Sequence, residues 1–249
     1  MSEETNYKKK IFYKALFIFL LYIYFKHGHA ICFTLVEKNN PLAYIFYPAG
    51  LLYTFIVKII DKTPSPVAYL NLVYESLFMI ILISSYYSVL KSKINDFKTN
   101  ILKYFKKYIL YWVIAILLMG TTSIIVEKVF GSVATNEENV IELINSSPVI
   151  LFILTGLMAP VVEELVYRLT VYYMVGNRKK IYIILSGLIF GAAHVVSSAT
   201  CINDIAYIIP YSIPGMALAY IYYKSDNIYV PMLFHCMHNT IGFIVQLFL

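Results

Sequence analysis

Apolar runs long enough to cross a bilayer recur along the whole chain, and this recurrence constrains the fold more than any other feature. A hydrocarbon core about 30 Å thick takes roughly 20 apolar residues as a helix. Such runs fall near 11–25 (continuing toward Val36), 41–60, 67–90, 104–126, 148–174, 181–199, 205–223 and 228–249. They predict an all-α polytopic membrane protein with about eight transmembrane helices. Composition agrees: 60% of residues are hydrophobic and 14% charged, against about a quarter charged in soluble domains. Between the fourth and fifth runs, Val140, Ile141 and Ile144 alternate with Glu137, Glu138 and Glu142, a pattern suited to a helix lying at the interface. Ser147 and Pro148 read as N-cap and first helical residue of the fifth run. Internal repeats are absent, so residues 1–249 read as one integral membrane domain.

The net charge of +6 comes mostly from lysines between the apolar runs. That distribution suits loops facing anionic lipid and excludes a nucleic-acid surface, because no basic face is interleaved with aromatics. The Lys91–Lys107 segment holds six lysines against one aspartate, a cytoplasmic signal, and Arg178-Lys179-Lys180 agrees with it across two spans. Lys8-Lys9-Lys10 followed by 11–25 looks like a signal peptide but lacks a small-x-small cleavage site, so it reads as an uncleaved first span. This basic start also asks to be inside, yet three spans separate it from Lys91–Lys107. Either one signal misleads, or the 11–60 region crosses an even number of times and the third segment does not cross. Cys32, Cys201 and Cys236 have no zinc spacing and imply no disulfide framework.

Within the 148–174 run, Glu163, Glu164 and Arg168 are expensive: each charge near the centre of a membrane helix costs about 2.5–3.5 kcal/mol. Such groups survive by pairing, by facing a wet cavity or by doing chemistry. Glu164 and Arg168, at i and i+4, share a helix face and can pair, whereas Glu163 is rotated about 100° away and lacks that partner. In the sixth run, Gly187 and Gly191 form a GxxxG face for close helix approach, with His194 three residues on. In the eighth, His235 and Asn239 share a face. At about 1.5 Å per residue, Glu163 and His194 lie roughly 20 Å from their loops, and His235 and Asn239 roughly 12 and 18 Å. All four therefore reach comparable depth. Pro160 should free the carbonyl of Gly156 and kink the fifth run one turn before Glu163, Pro210 and Pro214-Gly215 should break or bend the seventh, and Pro231 lies one turn before His235. Cys236 lies about 100° around the helix from His235, which removes a cysteine-protease reading.

Glu163-Glu164-x-x-x-Arg168, Phe190-x-x-x-His194 and His235-x-x-x-Asn239, in that order and each in its own apolar run, resemble the three motifs of the CAAX-endopeptidase and bacteriocin-processing (CPBP, or Abi) family of intramembrane proteases. The resemblance covers roughly 148–245, and Leu169-Thr170 stands where the family usually has a glycine after the motif arginine. It implies an active site on the last four helices: about 148–249 as the catalytic core, with about 1–130 as N-terminal helices of unassigned role. It implies an endopeptidase acting on a membrane-associated protein or peptide, of CAAX type or a bacteriocin or signal-peptide precursor, in the plasma membrane of a bacterium. Glu163 and His194 would activate water, His235 and Asn239 would stabilise the oxyanion, and Glu164 with Arg168 would hold the helix and local charge. No cofactor is favoured, although Glu163, His194 and His235 would also make an acceptable zinc set, with no HExxH present. A non-catalytic membrane scaffold or bacteriocin self-immunity factor is the competing reading. A proton-coupled transporter is disfavoured by the absence of an inverted repeat.

Overall fold

The computed structural model describes residues 3–63, 65–131, 147–196, 199 and 201–248. Nearly all of them are helical: α1 (Glu3–Glu37), α2 (Ala43–Ile60), α3 (Pro66–Phe130), α4 (Pro148–Val175), α5 (Lys179–Val195), α6 (Ile208–Ser225) and α7 (Tyr229–Phe248), with a 3-10 turn at Ile202–Tyr207 leading into α6. The interfacial helix expected around Val140, Ile141 and Ile144 lies outside the described residues. Among the described residues, five helices are long and apolar enough to cross a membrane: Asn6–Glu37, Ala43–Ile60, α3, α4, and α6 taken with its 3-10 turn. α5 is 17 residues long, and α7 carries His235, His238 and Asn239 in its apolar run.

Two of the expected eight spans share one helix. α3 is a helical segment of 65 residues in two arms, so the lysine segment expected as a loop is helical. A single non-helical residue, Tyr86 (φ −112°, ψ 15°), kinks it, and its hydroxyl lies 2.7 Å from Thr170 Oγ1 of α4. Glu75 before the kink and Trp112 and Ala115 after it line one cavity, so the second arm returns along the body of the protein. Leu110, Leu117, Leu118 and Ile124 of that arm stay exposed, as lipid-facing residues should.

α1 and the first arm of α3 are antiparallel neighbours: Lys14 Nζ donates to Ser85 O at 2.5 Å, the Tyr22 and Phe78 rings lie 5.0 Å apart, and Lys26 pairs with Glu75. The chain therefore leaves α1 and enters α3 on the same side. α2, which starts beside Cys32 and packs through Gly50 and Tyr53 on α1, makes no net crossing. The run expected at 41–60 is present as α2, long and apolar enough to span, and the antiparallel packing of α1 on α3 requires the chain to return to its starting side between them. On that packing Lys8–Lys10 and Lys91–Lys107 lie on one face.

α4 is the axis of the fold. Its stretch Glu164–Thr170 is wholly buried, against residues of α1, α3, α5, α6 and α7. It is not a uniform α-helix: Phe152–Met158 and Glu164–Thr170 are π-helical, flanking an α-helical turn at Ala159–Glu163. π-turns inside helices recur at functional sites. This register moves the effect expected of Pro160. Ala159 N–H reaches back to Leu154 O, so the carbonyl that Pro160 fails to serve is that of Thr155, not Gly156.

Candidate active site

Glu163 closes the α-helical turn of α4 and points into a cavity of about 1130 Å³ that His194, His235 and Asn239 also line. Its Oε2 lies 3.9 Å from His194 Nε2 and 3.8 Å from His235 Nε2, and is buried with no hydrogen-bond partner among the described residues. Glu164, one residue on, is fully buried and reaches the other ring nitrogen of His235. Adjacent carboxylates thus have separate tasks because helical rotation separates them.

Each imidazole is held from behind. His194 Nδ1 lies 2.9 Å from Phe190 O, and His235 Nδ1 lies 2.8 Å from Glu164 Oε1. A carbonyl and a carboxylate can only accept, so both Nδ1 atoms donate. In the neutral rings both Nε2 atoms then carry the lone pair that faces Glu163. Glu164 is fixed in turn by Arg168, whose Nε lies 3.0 Å from Glu164 Oε2, both side chains being fully buried. Arg168 Nη1 donates to Ser186 Oγ at 3.3 Å, and Ser186 Oγ donates to Tyr167 O at 2.7 Å. The expected Glu164–Arg168 pair is present, and it extends into a chain Arg168–Glu164–His235 that crosses from α4 to α7.

Phe190 joins these parts. Its ring lies 4.6 Å from the Arg168 guanidinium carbon and 4.3 Å and 5.5 Å from the His194 and His235 rings. The Gly187/Gly191 face expected to admit a helix admits α6: a Cβ at Gly191 would lie 2.6 Å from Ile208 O. Asn239 Nδ2 donates at 2.7 Å to Thr155 O, the carbonyl left unserved by Pro160. One amide N–H of Asn239 is thereby spent on α4, and the residue also lines the cavity. Cys236 lines a separate apolar groove of about 600 Å³ with Val161 and Leu165, away from the histidines.

The N-terminal half contributes a charged pair that sequence reasoning missed. Lys26 of α1 and Glu75 of α3 form an ion pair on the cavity wall, and His27, His29 and His238 line the same space. The signal was available: Glu75 is the one acid in the 67–90 run, and an intramembrane ionisable residue marks function by default.

Ligand atoms bonded at 2.0–2.1 Å to a tetrahedral zinc lie about 3.3–3.4 Å from one another. The two separations from Glu163 are wider by about half an ångström, and no group of three or more His, Cys, Asp or Glu among the described residues has metal-holding geometry. The arrangement fits a metal poorly. A single oxygen hydrogen-bonded at about 2.8 Å to each of two atoms 3.8–3.9 Å apart fits it better.

Residues 145–241 match the family described as type II CAAX prenyl endopeptidase Rce1-like. The chain is similar to a protein named putative membrane peptidase YdiL from Bacillus subtilis, 25% identical over 138 residues, covering 54% of this chain and 53% of that one. It is similar to a protein named membrane-embedded CAAX protease MroQ from Staphylococcus aureus, 29% identical over 155 residues, covering 56% of this chain and 58% of that one. A third relative, UPF0177 protein YvdC of Lactococcus lactis, is 26% identical over 183 residues, covering 72% of this chain and 67% of that one. The matches thus span little more than half the length of the first two relatives. No solved structure matches the chain.

Proposed function

We propose, from the match of residues 145–241 to the Rce1-like family and the similarity to membrane peptidases, that the chain is an intramembrane endopeptidase of the glutamate type. The observation that carries this reading is the convergence of the His194 and His235 Nε2 atoms on the Glu163 carboxylate, each imidazole being tied back through Nδ1. Water held between Glu163 and the His194 Nε2 loses a proton to Glu163 as its oxygen attacks the scissile carbonyl. Glu163 then returns that proton to the leaving amine.

His235 has a more specific part than a fixed donor. Its neutral form presents a lone pair, so it donates to the oxyanion only as imidazolium, with Glu164 balancing the charge through Nδ1. The second N–H of Asn239 is the other donor. Arg168 acts through Glu164 as a positioning residue. Residues 148–249 form the catalytic core in this reading, and α1–α3 supply the opposite cavity wall with Lys26 and Glu75. No step requires a metal.

The substrate we propose is a peptide or a lipid-anchored protein at the membrane, of CAAX type or a bacteriocin or signal-peptide precursor, in a bacterial plasma membrane. Mass spectrometry of peptides released by cells that make the protein, compared with cells that make Glu163→Gln at equal abundance, tests the reading. We expect at least one peptide to be lost with Glu163→Gln. Identical peptide sets from correctly inserted protein would favour a scaffold or self-immunity factor instead.

A further inference from the structure

We infer that the active-site cavity opens on the extracytoplasmic face of the membrane, so that the peptide it takes is one presented from that side. The substrate half of this inference rests on the protease reading. The geometric half does not.

The two faces are distinguished by contacts. Lys14 lies against Ser85 and over the Tyr86 ring, which puts the Lys8–Lys10 end of α1 beside the kink in α3. Lys93 pairs with Asp226 at 2.6 Å, and Asn227 Nδ2 donates to Asp96 Oδ2 at 2.9 Å, which joins the lysine segment to the α6–α7 loop. Tyr223 donates to Asn177 Oδ1 at 2.9 Å, which brings in the Arg178-Lys179-Lys180 loop. These basic segments therefore share one face. The opposite face holds the starts of α3 and α4 and the end of α7. Its basic residues are Lys38, Lys58, Lys62 and Lys128, three of them directly following an acid in sequence (Glu37, Asp61 and Glu127). The lysine-rich face is the cytoplasmic one by the positive-inside rule.

The cavity reaches the other face. Its lining includes Val67 and Asn71 in the first two turns of α3, Leu151 in the first turn of α4, and Gly242 and Gln246 near the end of α7. Val67, Asn71 and Gly242 are exposed and Gln246 is half-buried. Toward the lysine-rich face the lining ends on Tyr167, Ile221 and Phe234, which are 2%, 0% and 0% exposed. A peptide entering past Asn71 and Gln246 meets the Lys26–Glu75 pair one turn of α3 further in, and Glu163 beyond it. The mouth and the basic segments lie at opposite ends of the same antiparallel helices, whatever the number of crossings.

Single cysteines placed in a chain carrying Cys32→Ala, Cys201→Ser and Cys236→Ala, and a membrane-impermeant maleimide applied to intact cells, test this. Asn71→Cys and Gln246→Cys should label equally before and after permeabilisation, whereas Lys98→Cys and Lys180→Cys should label only after it. The reverse pattern would overturn the orientation. Failure of both mouth cysteines to label in either state, in protein that accumulates normally, would overturn the opening itself. The assay needs no catalysis, so an inactive protein with the expected labelling would refute the protease reading and leave the orientation standing.

Discussion

Gly191→Ala separates packing from chemistry at this site. In an open helical position the change should stabilise by about 1 kcal/mol, because alanine is the better helix former. Gly120 of α3, where an added Cβ meets nothing within 4 Å, is the control, and Gly120→Ala should be neutral or stabilising. At Gly191 the added Cβ would lie 2.3 Å from Ser212 Oγ, 2.6 Å from Ile208 O and 2.9 Å from Ser212 N, against 3.4–4 Å for ordinary contact. Two of those atoms are backbone, so α5 must draw away from α6 by about 1 Å near this point. Overpacking of that kind costs about 1–3 kcal/mol. His194 lies less than one turn along the same seam, its ring 5.3 Å from Tyr211 of α6, so it moves with α5. A displacement near 1 Å at a catalytic group costs about 10²-fold in rate. We therefore expect Gly191→Ala to lower the melting temperature moderately and kcat by about 10²-fold, measured on purified protein in lipid with the peptide found by mass spectrometry. Wild-type kcat together with an unchanged or raised melting temperature would refute the close α5–α6 seam as the element that positions His194.

Arg168→Leu leaves Glu164 buried beside His235 without its cation, and should cost about 3–5 kcal/mol, read as lower abundance and melting temperature. A fully stable Arg168→Leu protein would show that Glu164 does not depend on the pair. Asn239→Ala should lower kcat by about 10²–10³-fold with little change in KM, the scale of one lost oxyanion donor. It should also destabilise by about 1–3 kcal/mol, because Thr155 O loses its donor; a loss of stability with kcat intact would leave Asn239 a purely structural residue. Activity should persist in a strong chelator, and chelator-reversible activity with stoichiometric zinc would replace the glutamate reading with a metalloprotease.

How legible the site was depended on whether partners share a helix. Glu164 and Arg168 could be paired from sequence because four residues return to nearly the same helix face, and the different directions of Glu163 and Glu164 followed from the same rotation. The Glu164–His235 contact joins residues 71 apart on α4 and α7, and no periodicity within one run reports it. Lys26 and Glu75 were missed for the same reason: each looked like a blemish in its own run until the antiparallel packing of α1 on α3 set them together. Pro160 marks a different limit. The residue announces that a carbonyl goes unserved, but the π-register of Phe152–Met158 decides which one, and that register depends on packing across α4, not on local propensity. The link from Pro160 to Asn239 through Thr155 O therefore belongs to tertiary structure, although both residues stood out in the sequence.

The orientation conflict shows how a correct signal can be misapplied. The basic segments Lys8–Lys10, Lys91–Lys107 and Arg178–Lys180 disagree only while the 18-residue apolar helix Ala43–Ile60 is counted as a single crossing. Length and hydropathy license the statement that α2 is able to span, and nothing more. What decides is where the chain leaves α1 and enters α3, and the Tyr22–Phe78 and Lys26–Glu75 contacts put both points at one end of that antiparallel pair. Once α2 returns the chain, all three basic segments fall together without discounting any of them. The same step turns the cavity into a directional feature: Asn71 and Gln246 stand at the face that the basic segments avoid, so the geometry of entry follows from packing that hydropathy alone does not encode.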